Sequence, residues 1–162
     1  PRALWWFRWG AMFTFLSGVA LIGLKHLTGW GILLGGILGT FMFLNVWLII
    51  WPNQKIVIAS AEKVAGGGEA DPAAAGALAK AGLASRTNTL FSIPMLFFMA
   101  SSVHLAQLMT ASTAAKVVSL AIVIALEING IFGKQGPMTS VKGVIHMGLL
   151  LTLVLYLAVD LL

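Results

Sequence analysis

The chain has 162 residues, 59% hydrophobic and only 9% charged, with a formal net charge of +5. A soluble domain carries about a quarter charged residues, so this composition cannot build a water-facing surface and reads as an all-α integral membrane protein. Cysteine is absent, which excludes disulfides, iron–sulfur clusters, cysteine zinc sites and c-type haem attachment within the chain.

Pro1 opens the sequence, as expected where an initiator methionine is trimmed or a leader is cleaved. Arg2 and Arg8 precede an apolar run, but no small-residue cleavage site follows it as in a signal peptide. A transmembrane helix needs about 20 mostly apolar residues. Five stretches meet that need, giving a polytopic helix bundle in a single domain. They run over about 6–24, 30–51, 88–109, 112–132 and 141–162.

The second stretch carries Gly31, Gly35 and Gly39, spaced by four and so on one helix face. Such a face lets a neighbouring helix approach closely; the alternative is a groove for a lipid or flat cofactor. Asn45 falls near the same face at 100° per residue. It is expected to hydrogen-bond across to another helix, a bond worth about 1 kcal/mol in lipid. The stretch then stops at "WPNQK", residues 51–55. Trp51 suits the headgroup region, Pro52 disfavours a continuing helix, and Lys55 suits an anionic leaflet.

Residues 52–86 form the longest connection. They hold Glu62, Glu69, Asp71 and the joint Gly66-Gly67-Gly68. Asp71-Pro72 before an alanine-rich run reads as an N-cap, a first-turn proline and a short helix at the membrane surface or on the bundle. The fourth stretch carries Glu127. An intramembrane carboxylate is costly and should be paired, protonated or functional. The short turn "KQGPMTS" makes the fourth and fifth helices antiparallel neighbours, so His146 or Lys142 is the expected partner. The sharper reading is a proton relay or quinone-site acid.

His26, His104 and His146 complete the candidates. His104, with His26 or His146, could hold haem or another tetrapyrrole, although an interfacial histidine needs no ligand. No nucleophile, paired-carboxylate or metal-binding motif is present, so no catalytic or metal residue is assigned. The basic residues form no phosphate-tracking patch, and no nucleic-acid partner is expected. Instead they set topology. Arg2, Arg8, Lys55, Lys63, Lys80, Arg86, Lys134 and Lys142 fall on the N-terminal side, and only Lys25 and Lys116 on the other. The positive-inside rule places the N-terminus and the long connection in the cytoplasm, in the cell inner membrane.

Three blocks carry a resemblance. They are "WWFRWGAMFTFLSGVALI" (5–22), "GTFMFLNVWLIIWPNQKIVI" (39–58) and "SRTNTLFSIPMLFFMASSVH" (85–104). In order and spacing they resemble the N-terminal membrane domain of the bacterial cytochrome-linked urate oxidase (membrane urate hydroxylase) family. The resemblance rests on Trp6, Phe7, Arg8, Trp9, Leu16, Ser17 and Gly18; on Gly39, Thr40, Asn45, Val46, Pro52, Gln54 and Lys55; and on Ser85, Asn88, Ser92 and Pro94. It covers roughly 100 residues. It places Asn45 and the Pro52–Lys55 turn on the inner side with Arg86, Asn88 and Glu127. Such a cluster either holds the connection against the bundle or forms a polar site.

Members of that family carry further helices and a cytochrome c domain with Cys-x-x-Cys-His, which this sequence lacks. Two family histidines stand here as Leu33 and Thr87. The resemblance therefore implies an accessory or structural membrane subunit, docked with other membrane subunits in a respiratory or photosynthetic electron-transfer complex. The alternatives are a haem- or pigment-binding redox membrane protein and a small proton-coupled transporter using Glu127. Enzymatic activity stays open, with the missing motifs against it.

Overall fold

The structure, a computed structural model, describes residues 2–102, 104–105 and 108–162. Regular structure among them is helical. The chain opens with α1 (Arg2–Leu24) and turns into α2 (Trp30–Leu44). α2 runs through a π-helical segment, Asn45–Ile50, directly into α3 (Trp51–Ala65). After a turn come α4 (Ala74–Ser101), α5 (Thr113–Phe132), a 3-10 turn (Gly136–Thr139) and α6 (Val141–Leu161).

Four helical stretches are long and apolar enough to cross a membrane: Arg2–Leu24, Trp30–Ala65, Thr113–Phe132 and Val141–Leu161. The fifth long helix, α4, is interrupted by Lys80, Arg86, Asn88 and a series of hydroxyls. It tolerates them because it is the hub of the bundle, packed against α2, α3, α5 and α6. Its Leu90, Phe91 and Phe98 meet Leu34 and Leu38 of α2, Val123 of α5 and Leu155 of α6 in one core.

Two sequence expectations are corrected here. The second helix does not stop at Trp51; it continues to Ala65. Proline breaks an α-helix because it lacks an N–H and its ring collides with the carbonyl four residues back. The π segment widens the backbone ahead of Pro52, where the Trp51 N–H reaches five residues back to the Val46 carbonyl. The ring is thereby accommodated inside a continuous helix. The long connection is correspondingly no loop with a separate surface helix. Its alanine-rich part is the beginning of α4, which runs unbroken to Ser101. Of the third stretch read as 88–109, residues 103, 106 and 107 lie outside the described residues.

The 36-residue Trp30–Ala65 helix is about 54 Å long at 1.5 Å per residue, against about 30 Å of hydrocarbon. α3 and the first turns of α4 therefore make a helical hairpin that extends beyond the apolar slab. Its tip turns on Gly67, whose φ of 84° is a left-handed conformation suited to glycine. Two bonds close it: the Asp71 N–H donates to Ser60 Oγ at 2.9 Å, and the Ala73 N–H donates to Asp71 Oδ1 at 2.8 Å.

α1 is the least embedded helix. None of its residues is buried. It leans on α2 and the π segment through aromatic contacts, with Phe15 stacked on Phe43 at 4.3 Å and Trp9 edge-on to Trp47 at 5.8 Å.

Candidate functional site

The π segment places a polar junction in the core. A π turn costs the helix its regular ladder and leaves carbonyls available to other donors. Side-chain amides meet them at both ends. Asn88 Nδ2, from α4, donates to the Met42 carbonyl at 3.0 Å. Asn53 Nδ2, from α3, donates to the Ile49 carbonyl at 2.7 Å. Between them Asn45, 1% exposed, donates through Nδ2 to Asn88 Oδ1 at 2.9 Å and to Glu127 Oε2 at 3.1 Å. One amide thus ties α4 and α5 to the π turn.

Glu127 is buried on α5. The expected partners are corrected: its carboxylate is held by Asn45, while His146 and Lys142 are both exposed on α6. The reason is geometric. α6 packs beside α5, but Val144, Gly148 and Leu151 occupy its inward positions, so His146 turns outward. Of the sequence candidates, Asn45, Asn88 and Glu127 are brought together. His26 sits exposed in the turn after α1 with φ 49°. His104 lies exposed in the connection between α4 and α5. Among the described residues, no group of three or more His, Asp or Glu gathers as metal ligands.

The glycine face has a definite geometry. A Cβ on Gly35 would come within 2.8 Å of Met99 Cγ, and one on Gly31 within 3.0 Å of Leu108 Cβ; Gly39 has looser surroundings, with Met95 Sδ at 3.5 Å. Gly35 is the point where α4 approaches α2 most tightly. A second close approach was not read from the sequence. Thr87 of α4 is buried against Gly130 of α5, where an added Cβ would fall 2.6 Å from Thr87 Oγ1. The "NG" at 129–130 offered the only signal.

On the α1 side the junction borders a groove of about 940 Å³ between α1, α2 and α4. Asn88 lies in its wall. Small residues line much of the rest, among them Gly10, Thr14 and Gly18 of α1, Gly36 of α2, and Thr89 and Ser92 of α4.

A family model described as Urate oxidase N-terminal matches residues 25–160. The chain belongs to the urate oxidase N-terminal family. The matched range takes in α2 through nearly all of α6, and with them Asn45, Asn88 and Glu127; the block at 5–22 precedes it. No curated protein and no solved structure matches the chain. Within this urate oxidase N-terminal chain, Thr87 and Leu33 occupy the positions where the resemblance expects histidines. Thr87 faces the tight crossing with Gly130, and Leu33 is exposed.

Proposed function

We propose that this chain is a structural membrane subunit, docked through α1, α2 and α4 against a transmembrane helix of a partner in an electron-transfer complex. The observation that carries this reading is the groove beside α1. It runs along α1 from Trp6 to Ile22, about 24 Å of helix at 1.5 Å per residue. A Cβ at Gly10 or Gly18 would meet nothing within 4 Å. Helices associate in lipid through close packing on small residues with hydroxyls as weak glue, and this wall has that composition. An elongated, uncharged groove fits an apolar helix better than a compact polar substrate. The electron-transfer setting rests on the family alone. The lysine and arginine bias orients the N-terminus and the hairpin to the cytoplasm.

The absence of cysteine makes the test clean. Single cysteines at Thr14 and Ser92, each carrying a photoactivatable maleimide, should cross-link to one partner chain in native membranes. The same probe on Leu153, exposed on α6, should label lipid. Labelling of lipid alone at all three positions would overturn the reading.

A second reading is favoured by Glu127, a carboxylate held in the core beside a π turn, a helical irregularity frequent at functional sites. In it, Glu127 handles protons for a coupled transport or redox step. Glu127→Gln keeps an oxygen for Asn45 and should leave the fold intact. Proton uptake by reconstituted vesicles that is identical in the variant and the parent rules this second reading out.

A further inference from the structure

At the N-terminal end of α1, against α3, lies a smaller pocket of about 290 Å³ that shares no lining residue with the groove. Leu4, Trp5 and Arg8 of α1 form one wall. Trp51, Lys55 and Glu62 stand on the other, with Ile58 and Ala59 between them. The Arg8 guanidinium carbon lies 4.0 Å from the Trp51 ring centre, 4.8 Å from Trp47 and 5.6 Å from Trp9. Lys55 Nζ lies 4.1 Å from the same Trp51 ring. Two cations from different helices thus share one indole.

We infer that this pocket binds the phosphate of a membrane glycerophospholipid at the headgroup level. Three features support it. Cation–π contacts hold Arg8 in place, and among the described residues its buried Nε has no acceptor. A guanidinium offers a planar fork matched to phosphate oxygens. Like charges brought to one ring repel, and an anion between them converts that repulsion into attraction. Glu62 is exposed and stands seven residues beyond Lys55 on the same helix face. It makes no ion pair with either cation among the described residues.

Placement argues for a lipid source. Trp5, Trp6, Trp9 and Trp51 cluster at this end of α1 and the π turn, as indole rings do at a membrane–water interface. The apolar lengths of α1 and α2 run away from the pocket in one direction, where acyl chains would lie. The π turn matters to the site because it sets the rotation of α3, and with it the direction in which Trp51 and Lys55 point. This inference is independent of the docking helix, since pocket and groove share no lining residue.

Native mass spectrometry of the detergent-purified chain, doped with dioleoyl phosphatidylglycerol or with dioleoylglycerol, reads the site directly. The phospholipid adduct should dominate, and the phosphate-free diacylglycerol should not compete. Each cation removed should weaken lipid binding about five-fold. Lys55 is exposed, so Lys55→Gln should fold normally and show that loss, with Lys55→Arg restoring the adduct. Arg8→Gln should weaken it further. Phospholipid retention unchanged in both Lys55→Gln and Arg8→Gln overturns the site. Displacement of the lipid by millimolar inorganic phosphate would make it a free-phosphate site and overturn the lipid assignment.

Discussion

Both hydrogens of the Asn45 side-chain amide are engaged inside the bundle, one on Asn88 and one on Glu127. Replacing Asn45 by leucine would orphan an amide carbonyl and a carboxylate together. A buried polar group left without its partner costs about 1–3 kcal/mol. Asn45→Leu should therefore destabilise the chain by about 2 kcal/mol in a detergent unfolding titration; a loss below about 0.5 kcal/mol would mean that water replaces the amide. Glu127→Gln should shift the same titration by less than about 0.5 kcal/mol, because a neutral oxygen still accepts from Asn45. At this scale the sequence was informative about cost and less so about pairing. Asn45 and Glu127 stand out because polar groups in lipid must be satisfied. Which groups satisfy them depends on helix rotation, which composition does not carry. Arg8 shows the same limit: its charge was legible as a topology signal, but its seat among Trp9, Trp47 and Trp51 required three elements to come together.

Among the elements, the helix ends read most clearly where side chains make them. Ser112 Oγ accepts from the Ala115 N–H at 3.0 Å, and Ser140 Oγ accepts from the Gly143 N–H at 2.9 Å. α5 and α6 begin one residue after these serines, as N-caps require. The end of the second helix was misread for an equally physical reason. Proline signals a break in an α-helix, and no local pattern announces that six residues ahead of it have relaxed into a π turn. The α4–α5 crossing yields its own test. Gly130→Ala places a methyl against Thr87; overpacking of this kind costs about 1–3 kcal/mol. The double variant Gly130→Ala with Thr87→Ala should recover most of the loss. If the single variant is as stable as the parent, the helices have room that the structure does not show.

The whole molecule is an apolar bundle with a polar hairpin extending from one side. Hydropathy alone located the four membrane-competent helices among the described residues, because a long apolar run has few other stable fates; the fifth expected span, 88–109, falls on α4, which is not among them. The hairpin was hidden, since its alanines, glycines and scattered charges resemble a loop until α3 and α4 are seen side by side. From the charge bias the hairpin is expected on the cytoplasmic side. In intact cells a membrane-impermeant maleimide should fail to label a cysteine placed at Ala70, at the hairpin tip, and should label one at Thr28 or Thr110. The reverse pattern would invert the topology. Of the groove beside α1 the sequence offered only the alternative of a groove on the glycine face, of which Gly39 lines it; its extent is defined by the distance between helices.

Inserting a residue into a helix normally forces a bulge, and a π turn is the form such a bulge takes. The segment Asn45–Ile50 therefore acts as a phase slip. Everything downstream is turned by about 100°, the rotation one residue adds to an α-helix. Deleting a single residue here, such as Leu48, would let the ladder return to α geometry and leave α3 facing as it does now, because the residue removed and the slip removed cancel. The bundle above the slip, built on Leu34, Leu38 and Gly35, would keep its register. Trp51 and Lys55 would stay beside Arg8, and only Pro52 would suffer, meeting the carbonyl it now avoids.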